Sequence, residues 1–315
     1  MSAALLFDET GLLHLTGEGH PERPSRLDFI RNRLQKDGVF DAAPRIATRD
    51  ATDEELCLAH TPAYVATAIA EITMGVTMLS TGDTVVSGPD SLKAARRAAG
   101  GALNAVDALV EGKHEAAFCA VRPPGHHATP SRGMGFCVFN NIAIAARYAQ
   151  QKHGIGKIAI VDWDVHHGNG TQDAFYEDPS VFFFSSHQAP WYPGTGARGE
   201  TGHGKGLGST MNRPLPAGSG IKEIRVLFTD DLLPALDAFK PEMIFISAGF
   251  DSREGDPLGQ FTLTDEDFAE LTRLLREIAA RNAEKRVLSL LEGGYNLRGL
   301  ASAVSAHWKA LDGPL

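Results

Sequence analysis

Four segments of this chain carry side chains able to hold or use a metal ion: RPPGHHA with His126 and His127, DWDVHHGNG with Asp162, Asp164, His166 and Asn169, SAGFDSREGDP with Asp251, and EGGYN with Tyr295. Asp162, Asp164 and His166 alternate, so continued extended geometry would put them on one face, where Asp164 and His166 can grip the same ion. A carboxylate and an imidazole make half a site, and Asp251 is the obvious third ligand. Two carboxylates and one imidazole with an open fourth position fit a catalytic zinc, because structural zinc sites are closed and usually thiolate-rich.

Two anionic ligands nearly neutralise such an ion, which then acidifies water less than a tris-imidazole zinc does, so a protein base is needed. The adjacent pair His126 and His127 suits that work. Asp162 is expected to accept the rear N–H of His126, fixing its tautomer and raising its basicity; Asn169 would do the same for His127 without adding charge. The expectation is two unequal histidines, His127 as general base and His126 as electrostatic partner. Tyr295 would polarise a carbonyl and hold a developing oxyanion, on a turn that Gly293 and Gly294 allow to approach closely.

These groups need elements to position them. Each segment follows an apolar run: Ala116 to Val121, Lys157 to Val161, Met243 to Ile246 and Val287 to Leu291. In an open parallel sheet ligands sit beyond the carboxyl ends of the strands, so four loops after four buried strands can converge on one crevice. Between the strands run helical patterns: Leu92, Ala95, Ala99, Leu103, Val106 and Val110 at spacings of three and four, a helix from about Asn140 to His153 stopped by Gly154, one from Ile221 to Phe239, one capped by Thr264, and a last one from about Leu300. With further strands near Ala3 to Phe7, Arg45 to Ala47 and Val181 to Phe184, the count approaches eight. The fold class read from this is α/β: a mostly parallel sheet of about eight strands with helices on both faces, in one domain over 1–315. The irregular stretches 75–90 and 185–220 read as site loops.

Bulk properties agree. Apolar residues make up 43% and charged residues 22% of 315, average for a soluble globular protein. The net charge of −9 and the absence of a long basic run argue against a nucleic-acid binder. No stretch approaches a membrane span and MSAALLFDETGLLH is no signal peptide, so the expected location is cytoplasmic. Cys57, Cys119 and Cys137, without CxxC, support neither disulfides nor a thiolate zinc site. GETGHGKG at 199–206 nearly spells a phosphate-binding loop, but Gly206 stands where Ser or Thr is required.

Any one of these motifs is more often a cap or a turn than a ligand; their coincidence after four strands is what carries weight. The whole set resembles the zinc-dependent histone deacetylases and their bacterial relatives, which have the arginase–deacetylase fold. HLTGEGHPERPSRL, HTPAYV, RPPGHHA, GFCVFNN, DWDVHHGNGTQDAF, PGTG, SAGFDSREGDPLG and EGGYN occur in the order of the family's class II branch. The resemblance implies Asp164, His166 and Asp251 as zinc ligands, His126 and His127 as the tandem pair, Tyr295 as the carbonyl-polarising residue, and hydrolysis of an acetamide to acetate and a free amine. Asn169 stands where class I members have an aspartate. Gly135 and Phe136 on one wall and Tyr192 on the other would form an apolar slot, with Leu258 at its mouth and Asp83 gripping the substrate's amide backbone. Potassium ions would bind around Asp162, Asp164, His166, Ser185 and Ser186, and around Phe175, Asp178 and Val181. Arg23 would line a channel by which acetate leaves.

Leu258 stands where the family's eukaryotic polyamine enzyme has a glutamate, and the loop insertion of bacterial acetylpolyamine enzymes is absent from 75–90, which favours an acetyl-lysine peptide or protein over an acetylated polyamine or other small amine as substrate. Neither nucleic acid nor membrane is an expected partner; a homo-oligomer is compatible with the sequence. Two other functions compete with this one. A two-manganese ureohydrolase would need acids where Gly168 and Arg253 stand. A non-catalytic acyl-lysine binder would not be expected to keep every catalytic position filled.

Overall fold

The computed structural model describes residues 3–314; Met1, Ser2 and Leu315, the outermost residues of the expected 1–315 unit, lie outside the described residues. Among the described residues seven strands form one sheet in the order β1-β2-β7-β6-β3-β4-β5, with every pair parallel. They are β1 (Ala4–Phe7), β2 (Ala116–Ala120), β3 (Ile158–Asp162), β4 (Val181–Gln188), β5 (Thr210–Leu215), β6 (Met243–Ala248) and β7 (Val287–Leu291). The central strands are apolar on both faces because both faces are covered. Ala117, Cys119, Ile158 and Ile160 point into a core shared with the helices Gly88–Val110 and Asn141–His153. Phe118, Ala159, Val161 and Phe184 point into a second core shared with Ser25–Lys36, Asp265–Asn282 and Leu297–Asp312.

The strand count differs from expectation at both edges. Arg45 to Ala47 makes only an isolated bridge to Leu5: Pro44 has no N–H to donate, and Asn104 Nδ2 takes the Ala47 carbonyl. In exchange, 185–220 is not one long loop, since β4 runs on to Gln188 and Thr210–Leu215 forms edge strand β5. Its sequence, TMNRPL, is polar and holds a proline, as an edge strand tolerates and a central one does not. The helix expected over 221–239 is Ile221–Val226 and Leu233–Phe239 joined by a π-helical turn, Leu227–Leu232. Pro234, which cannot donate an i→i−4 bond, sits at the start of the second piece. Thr264 caps Asp265–Asn282 through a capping box with Asp267.

The order of the strands is what matters for the site. β2, β7, β6 and β3, the four followed by the chemistry-bearing segments, are consecutive neighbours in the sheet. From β3 the chain steps one way to β4 and β5, then returns to the other side with β6 and β7, so the crevice beyond β3 and β6 is where such a sheet binds its ligand.

Candidate active site

Asp162 ends β3, so the strand geometry expected to align Asp164 and His166 does not continue. Two consecutive turns do the aligning. Asp162 Oδ1 accepts from the Asp164 N–H (3.0 Å) and Asp164 Oδ1 from the His166 N–H (2.9 Å), each side chain bonding the backbone two residues on. Asp251, beyond β6, is held by the Val165 N–H on its Oδ1 (2.9 Å), and Gly293, beyond β7, donates its N–H to Asp164 Oδ2 (2.8 Å). Asp164, His166 and Asp251 thereby each offer a ligand atom within 4.8 Å of the others, all buried.

The donor set fits a divalent cation. His166 Nδ1 lies 3.0 Å from Asp164 Oδ1 and 3.2 Å from Asp251 Oδ2, and Asp251 Oδ2 is buried without a well-formed hydrogen bond. Burial and the neighbouring Asp164 push the Asp251 carboxyl up to about 7, and the two aspartates raise His166 to about 10 against the opposing effect of its burial. Two carboxylates this close stay ionised together only opposite a positive charge.

His126 and His127 lie side by side, ring centroids 4.0 Å apart. His126 Nδ1 donates to Asp162 Oδ2 (3.0 Å) and His127 Nδ1 to Asn169 Oδ1 (2.8 Å); His126 Nε2 lies 3.8 Å from Asp164 Oδ2, and the His127 and His166 ring centroids are 5.8 Å apart. Their environments differ in sign. Burial disfavours charge on both, but Asp164 and Asp162 outweigh it at His126 and raise it well above 6.5, while His126 and His166 add to it at His127 and hold it well below. The pair is thereby held unequal, His126 biased toward its charged form and His127 toward its neutral one.

Tyr295 is buried, its N–H and that of Asn296 both bonded to Asp256 Oδ2 (2.7 and 2.9 Å). Burial raises its hydroxyl well above 10, so it stays a proton donor. Tyr295, His127 and His166 form the floor of a cavity of about 270 Å³ whose walls are Gly135, Phe136, Tyr192, Trp191 and Leu258, with Asp83 at the mouth. Gly135 has φ +57, and a Cβ there would lie 2.2 Å from the His127 ring, so only glycine lets this wall reach the histidine. Asp83 is exposed and already accepts from the Gly135 N–H (2.8 Å), and the Tyr192 hydroxyl donates to it at 3.2 Å.

Other expected residues lie farther out. Ser185 pairs in register with Asp162, and Ser186 Oγ is buried without a partner. Phe175, Asp178 and Val181 surround the turn before β4, where the Asp178 carboxylate is engaged by Ser180 and Arg147. Arg23 requires correction as a channel residue: its side chain is exposed, because the helix beginning at Ser25 turns Arg26 inward instead. Arg26 is fully buried, donates to the carbonyls of Gly294 (2.7 Å) and Glu292 (2.5 Å), and lies 5.0 Å from the Tyr295 ring centroid. Glu22, paired with both Arg26 and Arg122, is buried behind it and held at about 2: burial raises it, but Arg122 and Arg26 more than reverse that.

Arg26, Glu22, Arg122, Asp256, Trp191 and Glu292 were not singled out in the sequence. One signal was available: charged residues in HPERPSRL and RPPGHH at places where only a buried ion pair would keep them.

Comparison with known proteins bears on this arrangement. The family model for the histone deacetylase domain matches residues 20–311. "Histone deacetylase 10, chloroplastic" of Oryza sativa subsp. japonica is 40% identical over 312 residues, covering 94% of this chain and 70% of that protein. "Polyamine deacetylase HDAC10" of Homo sapiens is 42% identical over 319 residues, 96% of this chain but 47% of that protein. A "Probable deacetylase" of Archaeoglobus fulgidus is 39% identical over 301 residues, 95% of this chain and 83% of that protein. The crystal structure of the HDA15 HD domain superposes with a TM-score of 0.93 at 39% identity, covering 98% of this chain and 89% of that one.

Proposed function

The chain belongs to the histone deacetylase family, and from that premise we propose that it is a zinc-dependent deacetylase that hydrolyses the N-acetyl group of acetyl-lysine to acetate and a free amine. The observation that carries the reading is the buried Asp164–His166–Asp251 cluster at the floor of a narrow, mostly apolar cavity that also presents His127 and Tyr295. Asp164, His166 and Asp251 would hold the zinc, which when bound supplies Lewis-acid polarisation of the amide carbonyl and lowers the pKa of water.

The protein's residues account for the rest. Phe136, Tyr192 and Leu258 exclude water from the aliphatic stem and hold it straight, which aligns the acetamide with the floor. His127, its Nδ1 proton fixed by Asn169, takes a proton at Nε2 from the attacking water. His126, its Nδ1 proton held by Asp162, stands beside His127 as the electrostatic partner of the negative charge that builds there. The Tyr295 hydroxyl donates to the oxygen that was the carbonyl. His127 then returns its proton to the nitrogen as the C–N bond breaks, leaving acetate and amine.

A second reading, an acetylated polyamine as substrate, is favoured by the Asp83 carboxylate at the mouth, which would attract a distal ammonium. Potassium near Ser185 and Ser186 is proposed as a structural ion. Steady-state assays of the zinc-loaded protein on acetyl-lysine peptides and N-acetylated polyamines, side by side, test both readings. A higher kcat/KM on the peptides supports the first; a higher value on polyamines selects the second; no turnover of either overturns both.

A further inference from the structure

Glu292 is the first residue of the EGGYN turn and has no part in the proposed chemistry, yet its carboxylate is completely buried at the centre of the site. Its Oε2 accepts two main-chain N–H groups from the loop after β2, that of Gly125 at 2.7 Å and that of His126 at 3.1 Å. Its Oε1 lies 3.3 Å from the hydroxyl of Ser247 in β6. Its own backbone is pinned from two sides: the N–H donates to the carbonyl of Ala248 (3.1 Å), and the carbonyl accepts from Arg26 Nη2 (2.5 Å). The next N–H, that of Gly293, bonds Asp164 Oδ2 at 2.8 Å. One side chain thus links the loop carrying the tandem histidines to the turn carrying Tyr295, across the strand end that leads to Asp251.

We propose that Glu292 is a positioning residue that sets the distance between His127 and the acetamide by anchoring the Gly125–His126 backbone to the tyrosine turn. Two N–H donors at the tip of a loop would otherwise be buried unpaired, and the loop would shift to satisfy them. The rings of His126 and His127 are 4.0 Å apart on consecutive residues, so a shift of the His126 amide moves both imidazoles together. What the anchor requires is reach and an acceptor oxygen. Charge is secondary, because Oε2 bonds main-chain amides, Oε1 meets a neutral hydroxyl, and Arg26 binds the main-chain oxygen of Glu292 instead.

That distinction makes the idea testable with two near-isosteric variants. Glu292→Gln keeps the reach and can present its carbonyl oxygen to the two amides and its NH2 to Ser247 Oγ. Glu292→Asp keeps the charge but retracts the acceptor by about one C–C bond, ~1.5 Å. The proposal rests on the deacetylase reading for its kinetic arm, in which Glu292→Asp lowers kcat on an acetyl-lysine peptide roughly 30- to 100-fold with KM within about threefold, while Glu292→Gln stays within about fivefold of the parent. The second arm is independent of activity: amide hydrogen exchange of the 122–128 segment accelerates at least about tenfold in Glu292→Asp and not in Glu292→Gln, while the β3 and β6 segments and the zinc content are unchanged. The reverse ranking, with Gln impaired and Asp intact, overturns the proposal in favour of an electrostatic role. Parent-like behaviour of both variants overturns it, as does a uniform rise in exchange across the sheet, which marks a merely structural residue. Should the parent protein prove inactive on every acetamide, the exchange measurement still decides the anchor while the deacetylase reading alone fails.

Discussion

Tyr295 and the two histidines illustrate how identical side chains acquire different jobs from their neighbours. His126 faces three carboxylates, which bias it toward its charged form; His127, one residue on, faces an amide oxygen and two other imidazoles, and burial with those imidazoles biases it toward the neutral form. Tyr295 is buried among Phe136, Arg26 and the Asp256-bound backbone, which hold its ring and main chain in place at the cavity floor. A donor that meets the oxygen only as charge develops acts on the transition state more than on the ground state. Tyr295→Phe is therefore expected to lower kcat about 10²- to 10³-fold with KM within a few-fold, measured on an acetyl-lysine peptide. A variant that raised KM and left kcat alone would show that the hydroxyl serves binding instead.

At the scale of elements, the loops after four neighbouring strands are cross-linked by backbone donors to carboxylates, and glycine at their crossing point is a steric necessity. A Cβ on Gly293 would lie 1.9 Å from Asp251 Oδ2 and 2.5 Å from Asp164 Oδ2, against backbone-anchored ligands that cannot retreat. Gly293→Ala should keep the far-ultraviolet circular dichroism of the parent yet bind zinc weakly. Metal analysis after dialysis against a mild chelator should find well under about half the parent's zinc, in line with the ~10- to 100-fold affinity losses that follow disturbance of groups supporting a metal's ligands. Full retention of metal would mean the ion does not sit between these two carboxylates. The same close approach rules on the ureohydrolase alternative: an acid at position 168 would project toward Asp162 Oδ2, 2.2 Å from where its Cβ would stand, and Arg253 is committed to Asp265.

Over the whole molecule, burying so many histidines has a consequence for acid stability. His60 and His307, neither of which belongs to the ligand cluster, are pushed by burial from 6.5 down to about 4 and about 3. The unfolded chain thus binds protons at these positions from about pH 6.5 downward while the folded chain does not, so stability is full above 6.5 and falls as pH drops toward 4 and 3. Each histidine contributes a slope of about 1.4 kcal/mol per pH unit in that window. Glu22, lowered from 4.5 to about 2, adds its own loss as pH falls below 4.5. In urea unfolding from pH 8 to 4.5, the stability of the parent relative to His307→Gln should be level above about pH 6.5 and fall below it by about one histidine's share. A flat curve down to pH 5 would mean these imidazoles are not buried neutral.

What could be read from the sequence was whatever depends on local pattern. Apolar runs and helical stripes located six of the seven strands and the helices Gly88–Val110, Asn141–His153, Asp265–Asn282 and Leu297–Asp312, because burial against the sheet demands such runs, but not the helices Ser25–Lys36, Pro62–Thr73 and Asn169–Phe175. The chemistry-bearing side chains stood out because His, Asp and Tyr after buried strands are unusual company. Hidden from sequence were the features that depend on residues distant along the chain. The edge strand β5 is polar and reads as loop; Asp164 and His166 are aligned by side-chain turns instead of strand pleat; and Arg26, not Arg23, reaches the interior, a choice set by where the helix beginning at Ser25 points its faces. Glu292, fully buried with its carboxylate bonded across 167 residues to Gly125, could be valued only once the sheet had brought β2 and β7 together. The sequence by itself determined which groups could act, since their chemistry is intrinsic; the tertiary structure alone decided their distances and protonation, since both arise from neighbours supplied by other strands.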